Sequence, residues 1–193
     1  IFNHNSYGDC PMSTLSVDTI QGKTTAGTVA MPAGAVLQVA NSTHLTTQSS
    51  TSTTYADISG LSVNITPKFS SSKILLTVDI GLLSADDGNM SCIRLLRDST
   101  VLAGHSGSGV AHNFTAFATG GGGGQSGSSY GVDVRKVNTG GISVLDSPST
   151  TSQITYKCQL ASSQASTAVY LNRWALNSDM GSSSSITVME IAG

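Results

Sequence analysis

Residues 55–82 alternate apolar and polar positions in two successive runs. Leu61, Val63 and Ile65 fall on one face of the first run, and Ile74, Leu76, Val78, Ile80 and Leu82 on one face of the second. A period of two is that of a β-strand with one buried face. Pro67 and the serines at 70–72 supply a turn between the runs. The pattern predicts two strands of a β-sandwich core.

The same pattern recurs along most of the chain. A short strand is expected over residues 14–20, carried by Leu15, Val17 and Ile20. Residues 21–34 are rich in Gly and Thr and include Val29 and Met31, which reads as an extended arm. Residues 35–45 form the next predicted strand, anchored by Val36, Leu37, Val39 and Leu45, followed by a polar loop over 46–54. Beyond the opening pair, residues 85–89 read as a turn, because Asp, Gly and Asn tolerate positive φ. Strands are then expected at 91–97, 101–102, 111–119, 132–137, 141–145, 154–160, 168–173 and 185–191. In the strand at 154–160, Ile154, Tyr156, Cys158 and Leu160 share one face, and Thr155, Lys157 and Gln159 the other. Five glycines at 120–124 have no side chains to bury, so they mark a loop tip or a close backbone approach. About ten strands separated by turn clusters predict an all-β chain. The expected architecture is an antiparallel, jelly-roll-like β-sandwich over residues 35–193, preceded by an extension and attachment arm over residues 1–34.

Composition agrees with this pattern. Charged residues are 10% of the chain, against about 25% in ordinary globular proteins. Glu190 is the only glutamate, and lysines are few, so good helix formers are scarce. The net charge of −2 comes without a basic run, so the Lys/Arg stripe of a nucleic-acid binder is missing. No apolar run approaches the ~18 residues of a membrane-spanning helix. Residues 1–11 lack the basic start and apolar centre of a signal peptide. Met12 opens a stretch that reads like a natural start, so residues 1–11 are expected to be an extension. Cys10, Cys92 and Cys158 are widely spaced; Cys92 and Cys158 read as buried free thiols, with a cross-sandwich disulfide as the alternative.

Candidate chemistry is sparse. Gly22, Lys23 and Thr24 resemble the end of a phosphate-binding loop, but the earlier glycine is Val17 and no helix follows. Gly104, His105, Ser106 and Gly107 approach a nucleophile elbow, but position 108 is Ser and no strand-to-helix turn is expected. His105 and His112 therefore read as exposed loop residues. Asp86, Asp87 and Asn89 offer oxygens to a cation without the bidentate glutamate of a calcium loop, and His4 with Cys10 is too sparse for zinc. Asn41, Asn64, Asn89 and Asn113 match the glycosylation sequon, which a Ser/Thr-rich chain produces by chance. Paired carboxylates for glycoside hydrolysis would need Glu190 beside Asp133, Asp146 or Asp179. Trp174, with Arg173 and Tyr170, is a carbohydrate platform, a cation–π pair or, on the preferred reading, packing in the core or a subunit interface. No cofactor, metal site or catalytic residue is expected.

Several stretches carry a resemblance. They are GAVLQV at 34–39, YADISGLSVNITP at 55–67, SSSKILL at 70–76, RLLRDS at 94–99, LDSPSTT at 145–151 with TYK at 155–157, and SITVMEIA at 185–192, after the opening MSTLSVDTI at 12–20. Their order resembles virion structural proteins of marine tailed bacteriophages, of tail-fibre, head-fibre or capsid-decoration type. The resemblance implies a non-enzymatic structural protein on the virion surface, assembled as a homotrimer and bound to other capsid or tail proteins. It supplies no catalytic residue. Leu15, Val17, Ile20, Val29 and Met31 are the expected attachment residues. The alternative is a receptor- or carbohydrate-binding tip module engaging a host-surface glycan through His105, His112, Tyr130 and Trp174. Neither membrane nor nucleic acid is expected as a partner.

Overall fold

In the structure, a computed structural model, the described residues are 31–86, 89–102, 116–119, 137–175 and 178–193. Chain contacts divide the protein between Met31 and Pro32. The arm residues Leu15, Val17, Ile20 and Val29, the loop residues His105, His112 and Tyr130, and the expected strands at 14–20 and over most of 132–137 lie outside the described residues.

The described chain is all-β. The strands are β1 (Val36–His44), β2 (Gln48–Ser50), β3 (Ala56–Ile65), β4 (Lys73–Ala85), β5 (Met90–Arg97), β6 (Thr100–Leu102), β7 (Ala116–Thr119), β8 (Val137–Asp146), β9 (Ile154–Ser162), β10 (Val169–Leu171) and β11 (Ser184–Ile191). All pairings are antiparallel. One sheet runs β1-β11-β4-β10-β2, with β8 on the other edge of β4; the second runs β3-β9-β5-β6, with β7 also on β5. With the short β2, β6 and β10 set aside, the remaining strands in chain order lie 1-8-3-6 in one sheet and 2-7-4-5 in the other. That nesting of first with last is the winding of a jelly roll.

The core lies between the sheets. Leu61, Ile74, Leu76, Val78, Ile93, Leu95, Tyr156, Cys158, Leu160, Ile186 and Val188 are buried there. The alternation of the opening pair accordingly places Leu61, Val63 and Ile65, and Ile74, Leu76, Val78 and Ile80, inside. Two bulges modify it. At Gly60, whose φ of 78° suits glycine, the β3 register shifts between Asp57 and Ser62, so that Ile58 and Leu61 both face inward. In β4 the register shifts between Ile80 and Leu83. Leu82, expected in the core, is therefore only half-buried, and Leu83 and Ala85 take the inward positions.

Other expectations need correction. The polar loop at 46–54 contains β2, which extends the first sheet through β10. Of the anchors expected in β1, Leu37 is half-buried, whereas Val36 and Val39 are exposed and Leu45 lies exposed beyond the strand. Asn89, expected in a surface turn, is fully buried.

Candidate functional site

The two outer faces of the sandwich differ in chemistry. On the β3-β9-β5 sheet the outer face carries a polar network beside the buried Leu96 and Ala161. Asp57 accepts from Lys157 Nζ at 2.9 Å and from Gln159 Nε2 at 2.6 Å. Gln159 Oε1 in turn accepts from Arg94 Nε at 2.7 Å, and the Arg94 guanidinium stacks 4.1 Å from the centre of the Tyr55 ring. Hydrogen bonds from Lys157 and then Gln159 hold the Asp57 carboxyl below its ordinary value. Cys92 lies beneath this network, and burial pushes its thiol up to about 11. Each charged group named here has a hydrogen-bond partner within the one face.

The outer face of the first sheet is the opposite. Register places Val39 beside Met189, Met189 beside Leu75, and Leu75 beside Leu145. This is an unbroken apolar row across four strands, in which directly opposed side chains touch. Val39 is 57% exposed and Leu145 58%. Val36, 50% exposed, and Ile191 extend it toward Lys73. On the other side Asn41, Thr187, Thr77 and Ser143 form the next row, then Thr43, Ser185, Asp79 and Gly141. The row was readable in principle. Leu75 adjoins Leu76, Val188 adjoins Met189, and Val144 adjoins Leu145; apolar residues at consecutive positions mark strands that are apolar on both faces.

Titratable groups inside the sandwich act as fasteners. Asp146 on β8 accepts from Arg97 Nη1 at 2.9 and 2.8 Å and from the Tyr156 hydroxyl at 2.7 Å, tying one sheet to the other. Burial first, and then Asp146, push the Tyr156 phenol well up. Glu190, fully buried, accepts from Gln38 Nε2 at 2.6 Å and from the Lys68 amide at 2.7 Å. Burial opposes its ionisation. Ser72, Gln38 and the amides of Lys68 and Phe69 together outweigh burial and hold the carboxyl below its ordinary value. The Ser72 hydroxyl acts here by proximity, without a hydrogen bond of good geometry. A general acid needs its carboxyl pushed upward, so Glu190 is held in the contrary state. Of its suggested partners, Asp146 is engaged by Arg97, Asp179 is exposed and Asp133 lies outside the described residues.

The remaining expected site residues are not brought together. Met31 is exposed at the start of the described chain. Trp174 is half-buried beyond β10, and its Nε1 is buried without a partner. Arg173 stacks on Tyr170, 4.4 Å from the ring centre, rather than joining Trp174 in a platform. Asn89 bonds Ser162 and the Thr167 carbonyl, so its side chain is committed to the core. Among the described residues no group of three or more His, Cys, Asp or Glu could hold a metal, and no helix is long and apolar enough to cross a membrane. Cys92 and Cys158 are both free and buried. Cys158 points into the core and Cys92 to the outer side of its sheet, which excludes a disulfide between them. No protein-family model matches the chain, and no curated protein matches it.

Proposed function

We propose that this chain is a non-enzymatic structural protein of a tailed-phage particle: an oligomeric, trimeric jelly-roll appendage or decoration on the virion surface, anchored by its N-terminal arm. The observation that carries the reading is the contrast between the outer faces. The exposed part of one is an internally hydrogen-bonded polar network, and the other carries the outward-facing Val39–Met189–Leu75–Leu145 row suited to assembly. A contiguous exposed apolar patch marks an association surface. The stretches that carry the phage resemblance fall largely on β1, β3, β4, β5, β9, β11 and their turns, so the resemblance concerns scaffold rather than a reactive site. Residues 34 and 35 pair with the C-terminal strand's end, where Gly34 donates to Ala192 and Ala192 to Ala35, each at 2.8 Å. Attachment by strand addition would use main-chain hydrogen bonds of the arm.

The test is to label the protein in intact particles and image them, with a variant lacking residues 12–34 alongside. Label on the particle surface that is lost with the arm, while the isolated sandwich stays folded, supports the reading. Particles that carry no label overturn it.

A further inference from the structure

We infer that the outer face of the β1-β11-β4-β8 sheet is where copies of this chain meet, with the Val39–Met189–Leu75–Leu145 row at its centre. The inference rests on the oligomeric reading above and gives that reading a surface.

Size comes first. Four strands about 4.8 Å apart, each with four outward positions about 6.8 Å apart, make a face on the order of 20 by 25 Å. Its projected area, about 500 Å², is on the scale of the smaller specific interfaces, below the ~800 Å² per partner of a standard one. Three of the large hydrophobic residues that the described chain leaves exposed, Val36, Val39 and Leu145, lie on it.

Charge selects the occupant. The outward positions of β4 carry Lys73 at one end and Asp79 at the other, and the rows between are apolar or hydroxyl-bearing apart from the Asn41 amide, which donates to Thr187 Oγ1. Such a face is electrically balanced, so an identical face meets it without a block of like charge. A strongly acidic or basic partner would find one opposite charge, at an end of the face, and no patch to match its own. Thr77, Thr187, Ser143 and Ser185 both donate and accept, so they can pair with their own counterparts. Gly141, opposite Asp79, adds no side chain to that end of the face. Around a closed symmetry axis the apolar row becomes one buried layer, and no copy of the face is left open.

Light scattering of the full chain at micromolar concentration tests this, comparing wild type with Leu145→Glu and Val39→Glu. Both side chains are more than half exposed, so the fold does not need them. The expected wild-type mass is about three times 19.7 kDa, falling to 19.7 kDa in each variant with unchanged circular dichroism. Asp57→Ala, on the polar face, should keep the wild-type mass. A monomeric wild type, or folded variants that keep the wild-type mass, overturns the inference. A wild-type dimer that both variants dissolve supports the face and overturns the threefold count. A monomer that still labels particles overturns the inference alone, whereas an oligomer dissolved by both variants but absent from particles overturns the virion reading alone.

Discussion

The backbone amide of Asn172 donates to the carbonyl of Leu82 at 2.6 Å, at the point where one edge of β4 changes partner. β11 leaves that edge at Asp79, opposite Ser185, and β10 joins it at Leu83, opposite Leu171. The main-chain groups between would lose their ladder bonds, and buried polar groups left unpaired are costly. Serines and Asn172 fill the gap. Ser184 Oγ accepts from the Gly81 amide at 3.0 Å and Ser182 Oγ from the Leu82 amide at 2.6 Å. Asn172 Oδ1 accepts from Ser184 at 2.7 Å, and its Nδ2 donates to the carbonyls of His44 and Thr46. Its φ of 59° is one that asparagine tolerates better than most residues.

Gly81→Ala should destabilise the sandwich through this junction. A Cβ there would run into Ser182 Oγ and the Ser183 carbonyl, and would lie 2.9 Å from Asn172 Oδ1. Overpacking of this kind costs about 1–3 kcal/mol. The backbone must move, and the serine bonds go with it. Denaturant unfolding should show a lower midpoint with an unchanged slope. A midpoint equal to wild type would mean that the junction is soft.

Glu190→Gln should alter how stability depends on acid. The carboxyl is held below its ordinary value of 4.5 in the folded chain, so the unfolded chain binds its proton first as pH falls. Its contribution is therefore present above that range and lost as pH drops through the folded value. With Gln at 190 the acid limb of a stability–pH curve should flatten. At neutral pH the variant should be weaker by about 2 kcal/mol, the scale of hydrogen bonds to a charged group. Parallel acid limbs in the two proteins would place the acid sensitivity elsewhere.

Asp146→Asn tests the fastener between sheets. Arg97 and Tyr156 would lose a shared anion and keep an amide that cannot satisfy both in the same geometry. A loss of about 1–3 kcal/mol is expected. Because the contact is pairwise, a cycle with Arg97→Met should return a coupling above about 0.5 kcal/mol. Additive losses would show that the ion pair contributes nothing beyond its separate side chains.

What the sequence revealed of this fold follows from which interactions are local. Inward faces were legible at Leu61, Val63, Ile74, Leu76, Tyr156 and Cys158 because the pleat enforces a period of two. The shift from Leu82 to Leu83 was not, because it depends on β8 and β10 meeting β4 at that point. Gly60 and Gly81 were the available hints, since an isolated glycine within a strand marks a bulge or a close approach. Asn89 looked like a turn residue and Asn172 like part of the strand at 168–173. Their burial depends on bonds to Ser162 and Ser184, 73 and 12 residues away in the chain. The apolar outer row needs register: adjacent apolar pairs such as Leu75–Leu76 show that a strand is apolar on both faces, but only strand pairing puts Val39, Met189, Leu75 and Leu145 side by side.

The thiols offer a readout that needs no partner. In a Cys10→Ser background, Cys92 and Cys158 should resist alkylation at pH 8 and react once the sandwich unfolds. Burial pushes the Cys158 thiol from 9.0 to about 12, so almost none of it is thiolate at that pH. The folded value is raised, so Cys158 contributes fully below about 9 and loses that contribution as pH climbs toward 12. Cys158→Ala should therefore flatten the alkaline limb of the stability curve. Reductant should leave the unfolding midpoint unchanged, because neither thiol is cross-linked. Rapid labelling of Cys158 at pH 8 in the folded protein would show that β9 opens locally and that the inter-sheet core is looser than its packing implies.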